Sequence, residues 1–114
     1  MSGEKPRRPA DPMYQLVREE RAEDFNRKRK EGESCDFIGC NLQGLDLRAF
    51  DLKNLDLSDC YLKQADLRGQ DLRNSRMQGA SLHGAHISGA YFPSELAPEE
   101  IELSVRLGTR MRYR

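Results

Sequence analysis

The stretch GLDLRAFDLKNLDLSDC, residues 44–60, decides the fold, because it places Asp-Leu pairs at 46–47, 51–52 and 56–57, five residues apart. In an α-helix this spacing sets successive leucines about 140° apart, so they would spiral around the helix axis. A straight strand fails as well, because an odd shift sends successive leucines to opposite faces. The remaining solution is a chain that turns a corner once in every five residues.

This five-residue repeat runs without a break from residue 35 to residue 94, as twelve units. The third position of every unit is large and apolar, and the fifth is often Gly or Asn, which favour turns. Repeated corners coil the chain and point each third-position side chain inward, which predicts a β-solenoid. The third-position residues are Phe37, Leu42, Leu47, Leu52, Leu57, Leu62, Leu67, Leu72, Met77, Leu82, Ile87 and Phe92. Three coils of four sides and four coils of three sides both agree with twelve units.

The units CNLQG at 40–44, ADLRG at 65–69 and QDLRN at 70–74 resemble the repeat of the pentapeptide-repeat family, A(D/N)LXX. The resemblance implies an all-β fold, a four-sided right-handed parallel β-helix of about three coils. Residues twenty positions apart would then stack in columns, with Cys40 over Cys60 and Phe50 over Gln70. Gln70 is the inward polar residue, and we expect its amide to pair with neighbouring backbone, since buried polar groups are hydrogen-bonded.

Both flanks of the repeats are predicted to act as caps. Residues 1–10 are expected to be disordered, and residues 11–32 to form one helix, with Asp11 as N-cap and Gly32 as stop signal. Residues 95–114 form the C-terminal cap. There a helix at 98–107 followed by a strand at 109–113 is favoured, although alternating apolar residues also agree with a strand throughout.

Composition indicates a soluble protein of a reducing compartment. Nineteen basic and nineteen acidic residues cancel. No apolar run is long enough to span a membrane, and the N-terminus has no apolar segment of a signal peptide. Three cysteines do not make a disulfide framework. We therefore expect a cytoplasmic protein without membrane contact.

No constellation predicts catalysis, a cofactor or a metal site. The aspartates of the repeats occupy second positions, which point outward, and they follow from the repeat rather than from acid–base chemistry. His83 and His86 point outward while Cys40 and Cys60 point inward, so they do not converge as zinc ligands must. The chain is therefore predicted to be no enzyme, with no cofactor and no metal.

Nucleic-acid binding is not expected either. The basic clusters at 27–30 and at 106–114 are each accompanied by acidic residues, as on an ordinary solvated helix end and a polar cap. Within the repeats, seven acids and six bases leave a net charge of −1. A groove-reading protein normally has a basic excess.

The sequence therefore predicts a non-enzymatic module that binds a protein partner. Its candidate contact residues are Tyr61, Lys63, His83, Tyr91, Arg110, Arg112 and Tyr113, because Tyr and Arg are favoured at interfaces. The family resemblance implies one alternative, a regulator of the quinolone-protection type that imitates DNA and binds DNA gyrase. A second alternative is a structural unit that self-assembles as a homodimer through a terminal cap, because open solenoid ends favour association.

Overall fold

The regular elements of the chain, in a computed structural model that describes residues 6–114, are three α-helices. They are α1 (Pro12–Arg18), α2 (Ala22–Lys30) and α3 (Pro98–Leu107). Between α2 and α3 the chain winds in coils of twenty residues, because parallel bridges join positions twenty apart, such as Asp46 and Asp66. Four five-residue units therefore complete one coil.

The predicted all-β class and the right-handed parallel β-helix are wrong. Residues 6–114 contain three helices and isolated bridges of single residues, and no strand or sheet is formed among them. The reason is the length of each side of a coil. A turn follows every two or three extended residues, so two neighbouring coils share at most one bridge on a side and no run of consecutive bridges can build a sheet.

Backbone hydrogen bonds hold the coils together at these bridges. Leu47 N–H donates to Asp66 O at 2.9 Å, and Asp66 N–H donates to Leu45 O at 2.9 Å. On most sides of the coils, third-position amides therefore donate to the next coil and second-position amides to the previous one. This direction determines which groups remain to be paired at each end.

The third-position side chains form the core. Ten of the twelve, from Phe37 to Leu82, are buried, whereas Ile87 and Phe92 are only partly buried. Burial of a large apolar side chain contributes roughly 1.5–3 kcal/mol. The core is therefore well covered through most of the coils and less well covered at the C-terminal end.

The turns between the sides account for the residues preferred at the second and fifth positions of the repeat. The carboxylate of Asp46 accepts the N–H of Arg48, two residues later, at 3.2 Å, which is an Asx turn. At most corners the fifth position takes a left-handed conformation, as at Asn54 with φ 63°. At Gly79 a Cβ atom would lie 1.9 Å from Asp59 Oδ1, so glycine is required there by space as well as by conformation.

Gln70 behaves as predicted. It is buried, and its amide nitrogen donates to Leu47 O at 2.6 Å and to Phe50 O at 2.8 Å. The expected pairing with neighbouring backbone is confirmed, and Gln70 ties its coil to the one before it.

The predicted single helix over residues 11–32 is wrong, because the chain forms α1 and α2 with a break between them. Glu20 adopts φ 58° at the break, and its carboxylate accepts the N–H of Asp46 at 3.1 Å. The change of direction lays α2 across the first coil, where the Phe25 ring lies 6.0 Å from that of Phe37 and 5.3 Å from that of Phe50. The predicted N-cap is confirmed, since Asp11 accepts from Met13 N–H at 2.9 Å.

The prediction of disorder covers residues 1–10. Residues 1–5 of this stretch lie outside the described residues. From Pro6 onward the chain is described, and Arg7 forms a parallel bridge with Cys40. Arg7 N–H donates to Gly39 O at 2.8 Å. This part of the stretch is therefore paired with the first coil.

At the C-terminus the favoured helix at 98–107 is present as α3. The expected strand at 109–113 is wrong, because that segment forms a single antiparallel bridge between Arg110 and Ser81. Gly108 ends α3 with φ 77°, which turns the chain back toward the last coil. Among the described residues, no helix has the length and apolarity needed to cross a membrane.

Candidate functional site

Four of the predicted contact residues lie on one wall, which we call the second side. It consists of residues 41–43, 61–63 and 81–83, and Arg110 adds a further row through its bridge with Ser81. Tyr61, Lys63, His83 and Arg110 therefore share this surface. The order of the rows follows from the twenty-residue coil, whereas the position of Arg110 depends on the turn after α3.

Tyr61 and Arg110 form the centre of the second side. The Arg110 guanidinium donates to the Tyr61 hydroxyl at 2.5 Å, and its Cζ atom lies 5.1 Å from the centroid of the Tyr61 ring. Asp59 Oδ1 lies 3.5 Å from the same guanidinium. A cation over an aromatic face is attracted by the ring quadrupole, so Arg110 is held in place while its side chain stays 43% exposed.

Two nitrogen-bearing side chains flank this pair. Lys63 and His83 are both exposed. His83 packs beside the turn after α3, since a Cβ atom added to Gly108 would lie 3.2 Å from the His83 imidazole. The second side thus presents an aromatic ring with two cations and an imidazole, and among residues 6–114 the carboxylate of Asp59 lies against Arg110.

The other three predicted residues lie elsewhere. Tyr91 is on the fourth side, where it is 59% exposed and Arg73 Cζ lies 4.9 Å from its ring centroid. Arg112 pairs with Glu100 at 3.0 Å. The Tyr113 hydroxyl accepts the N–H of Met77 at 2.8 Å. Arg112 and Tyr113 therefore hold the C-terminal tail against its own chain.

The third side carries a network of ion pairs. Asp66 lies 2.7 Å from Arg68 and 3.3 Å from Arg48. The hydrogen bond from Arg68 holds the pKa of Asp66 well below its usual range. On the fourth side the hydrogen bond from Arg73 lowers the pKa of Asp71 to about 2. These carboxylates stay ionised at neutral pH and are matched by their own cations.

The inward thiols are poor ligands and poor nucleophiles. Cys60 Sγ donates to Phe37 O at 2.8 Å. Burial raises the pKa of Cys60 to about 12 and the pKa of Cys40 to about 11. Metal binding and nucleophilic attack both need the thiolate. Within residues 6–114, no three His, Cys, Asp or Glu side chains are grouped so as to hold a metal ion.

A feature that the sequence did not predict is the half-covered C-terminal end of the coils. On the first two sides the cap supplies acceptors to the last coil, since Met77 N–H reaches the Tyr113 hydroxyl at 2.8 Å and Leu82 N–H reaches Ser104 Oγ at 2.9 Å. On the third side, no oxygen of residues 6–114 accepts from Ile87 N–H or Gly89 N–H, and no donor among them reaches Ala85 O. We call these three groups the open edge.

An apolar groove lies next to the open edge. Its volume is about 680 Å³, and its walls include Ile87, Ala90 and Phe92 of the last coil and Ile101 and Val105 of α3. One sequence signal could have indicated where α3 pairs and where it does not. Ser104 is a buried polar residue within the apolar stripe of α3, and it marks the side that the helix caps.

Comparison with known proteins agrees with the geometry of the repeats. Residues 56–92 match the family model described as pentapeptide repeats, in eight copies. No curated protein and no solved structure matches the chain. The matched residues lie within the twelve units identified from the sequence, so the predicted resemblance is confirmed. Residues 56–92, about a third of the chain, are therefore similar to the repeats of the pentapeptide-repeat family.

Proposed function

We propose that the chain is a non-enzymatic protein-interaction module that binds its partner through the second side. The observation that supports this most strongly is the Tyr61–Arg110 pair, because a stacked and hydrogen-bonded arginine is already ordered before binding. Less conformational freedom then remains to be lost on association. Tyr and Arg are also the residues that most often contribute large shares of binding energy.

The charge of the second side indicates the kind of partner. Lys63 and Arg110, with His83 beside them, outnumber Asp59, whereas the carboxylates of the third side are paired with their own arginines. A partner with an acidic, partly apolar surface would complement this wall. A DNA mimic needs an acidic surface instead, so the second side favours the interaction module over the gyrase-binding alternative.

The cytoplasm is the proposed location. Cys35, Cys40 and Cys60 are all free. Free cysteines are typical of reducing compartments, where disulfides are rare.

Affinity capture from a native lysate of the encoding organism tests the proposal. The wild-type chain should retain a reproducible protein that Tyr61→Ala loses, with binding weakened about 30-fold if Tyr61 acts as a hot spot. Lys63→Glu should weaken the same complex through charge. The matched control is Lys53→Glu on the fourth side, which should retain the partner. Absence of a reproducible partner, or equal loss with Lys53→Glu, would overturn the proposal.

A further inference from the structure

We propose that the open edge and its groove form a second binding site, distinct from the second side, for an extended basic segment of a partner protein. The segment would add one further row to the third side. Its backbone would pair with Ala85 O, Ile87 N–H and Gly89 N–H, and its central apolar side chain would enter the groove.

The coil below supplies the template for this pairing. There, His86 N–H donates to Ala65 O at 2.9 Å, and His86 O accepts from Leu67 N–H at 2.8 Å. Two residues later, Ser88 O accepts from Gly69 N–H at 3.0 Å. Ala85, Ile87 and Gly89 stand one coil higher, in the positions of Ala65, Leu67 and Gly69. Three extended residues are therefore enough to satisfy the open edge.

The groove can accommodate the side chain of the central residue of such a segment. In the template the residue between the two pairing positions is Ile87, whose side chain points inward. The equivalent residue of the bound segment would lie over Ile87 and against Ile101 and Val105 of α3. These walls select a large apolar side chain.

The rim of the groove determines the flanking residues. It carries two carboxylates, Glu99 and Glu102, and one guanidinium, Arg106. In an extended segment, the neighbours of an inward residue point outward. They would therefore face this rim, where basic side chains are favoured over acidic ones.

The chain's own tail shows that an extended basic segment can pair with this end of the coils. Met111 N–H donates to Ala80 O at 2.9 Å, and Met111 O accepts from Gly79 N–H at 2.7 Å. The Met111 side chain is buried, while Arg110 and Arg112 on either side of it are exposed. The tail pairs antiparallel to the last coil through its bridge with Ser81, so this end of the coils can accept an extended basic segment beside it.

The test uses the full chain and the N-acetylated, C-amidated peptide TRMRYR, which has the sequence of residues 109–114. Addition of this peptide should shift the amide NMR signals of Ile87, Gly89 and Ala90 and slow hydrogen exchange at Ile87 and Gly89. The peptide TEMEYE, with the same apolar residues and reversed charges, should leave these signals unchanged.

Three variants locate the binding. Ile87→Pro removes one donor without breaking an internal hydrogen bond and should weaken binding about three- to tenfold. Because proline could disturb the last coil, Ile101→Asp provides an independent variant that places a carboxylate in the groove, and it too should weaken binding. Glu102→Lys should weaken binding, whereas its matched control Glu23→Lys, on α2 at the other end, should not.

Several results would overturn the proposal. One is an absence of signal shifts at millimolar peptide, and another is shifts centred on residues 79–82 and 110–113, which would indicate displacement of the tail. Shifts at Ile87 and Gly89 that appear on raising the protein concentration without peptide would assign the edge to a second copy of the chain. Lys63→Glu should leave peptide binding intact, so failure of this site and failure of the second side can be told apart.

Discussion

The two ends of the coils are covered in different ways. At the N-terminal end every second-position amide of the first coil has an acceptor from the preceding segment. The pairs are Asp36 with Asp11 Oδ2, Asn41 with Arg7 O, Asp46 with Glu20 Oε2 and Asp51 with Asn26 Oδ1. At the C-terminal end, residues 6–114 supply acceptors to two of the four third-position amides of the last coil, those of Met77 and Leu82.

This difference between the two ends indicates that the N-terminal end contributes mainly to stability and that the C-terminal end is suited to binding. A buried amide without a partner costs about 1–3 kcal/mol, so complete pairing at the N-terminal end favours a closed and stable cap. An unpaired edge beside an apolar groove invites association with another chain. The N-terminal cap therefore acts mainly on the folding equilibrium, and the C-terminal end combines a partial cap with a place for a partner.

The largest expected effect that tests this comparison comes from Phe25 of α2. Phe25→Ala should lower the free energy of unfolding by about 3–5 kcal/mol, because the side chain is fully buried between two aromatic rings. Ile101→Ala in α3 should cost clearly less, since Ile101 is only partly buried beside the groove. Urea denaturation measures both, and equal losses would contradict the contrast between the ends.

Ser104→Ala tests the part of the C-terminal end that is capped. Ser104 Oγ accepts from Leu82 N–H at 2.9 Å and donates to Thr109 O at 2.6 Å, and the residue is fully buried. The substitution should lower the free energy of unfolding by about 1–3 kcal/mol, because both groups lose their partner away from water. Asn26→Ala, in the more exposed N-terminal pair with Asp51, should cost less in the same denaturation experiment.

Hydrogen exchange compares the two ends amide by amide without any substitution. The Ile87 and Gly89 amides should exchange much faster than those of Asp46 and Asp51, because only the latter pair has acceptors. Exchange followed by NMR under native conditions measures this. Strong protection of Ile87 in a dilute sample would mean that the edge is already covered.

The smallest expected effect is a dependence of the C-terminal tail on pH. Hydrogen bonds from the Arg112 backbone and side chain lower the pKa of Glu100. A lowered folded-state pKa gives stability that is present above the ordinary pKa of the carboxyl and is lost as the pH falls through the folded value. The Met77 amide should therefore lose protection as the pH falls below the ordinary range of a glutamate carboxyl.

Glu100→Gln provides the control for that titration. The variant keeps an oxygen that can accept from Arg112 N–H but has no charge to titrate. Met77 exchange, corrected for the intrinsic pH dependence of amides, should then no longer change over this pH range. An unchanged acid response in Glu100→Gln would assign the effect to another carboxylate.

Local pattern was sufficient to predict the repeat and much of the core. The five-residue register identified the inward residues and the pairing of Gln70, and local helix start and stop signals identified the helix at 98–107. Each of these depends on neighbours along the chain or on stacked units. The same pattern did not predict that each side is too short for a strand, because strand length depends on where the turns begin. The Asx turn at Asp46 begins at the residue that also forms the bridge.

The ends could not be predicted in the same way. The left-handed Glu20 that separates α1 from α2 is stabilised by contact with Asp46, twenty-six residues away. The half-covered C-terminal end depends on which side α3 contacts, through Ser104 and Val105. The five-residue repeat carries no information about such long-range pairings. The grouping of Arg110 with Tyr61 is of the same kind.

The twenty-residue coil also sets the angle between the two ends of the molecule. Because four units complete a coil, one added unit would rotate everything after it by a quarter turn. An insertion of twenty residues would restore the original angle and only lengthen the protein. The count of units, modulo four, therefore decides which way the second side and the open edge face relative to the N-terminal helices.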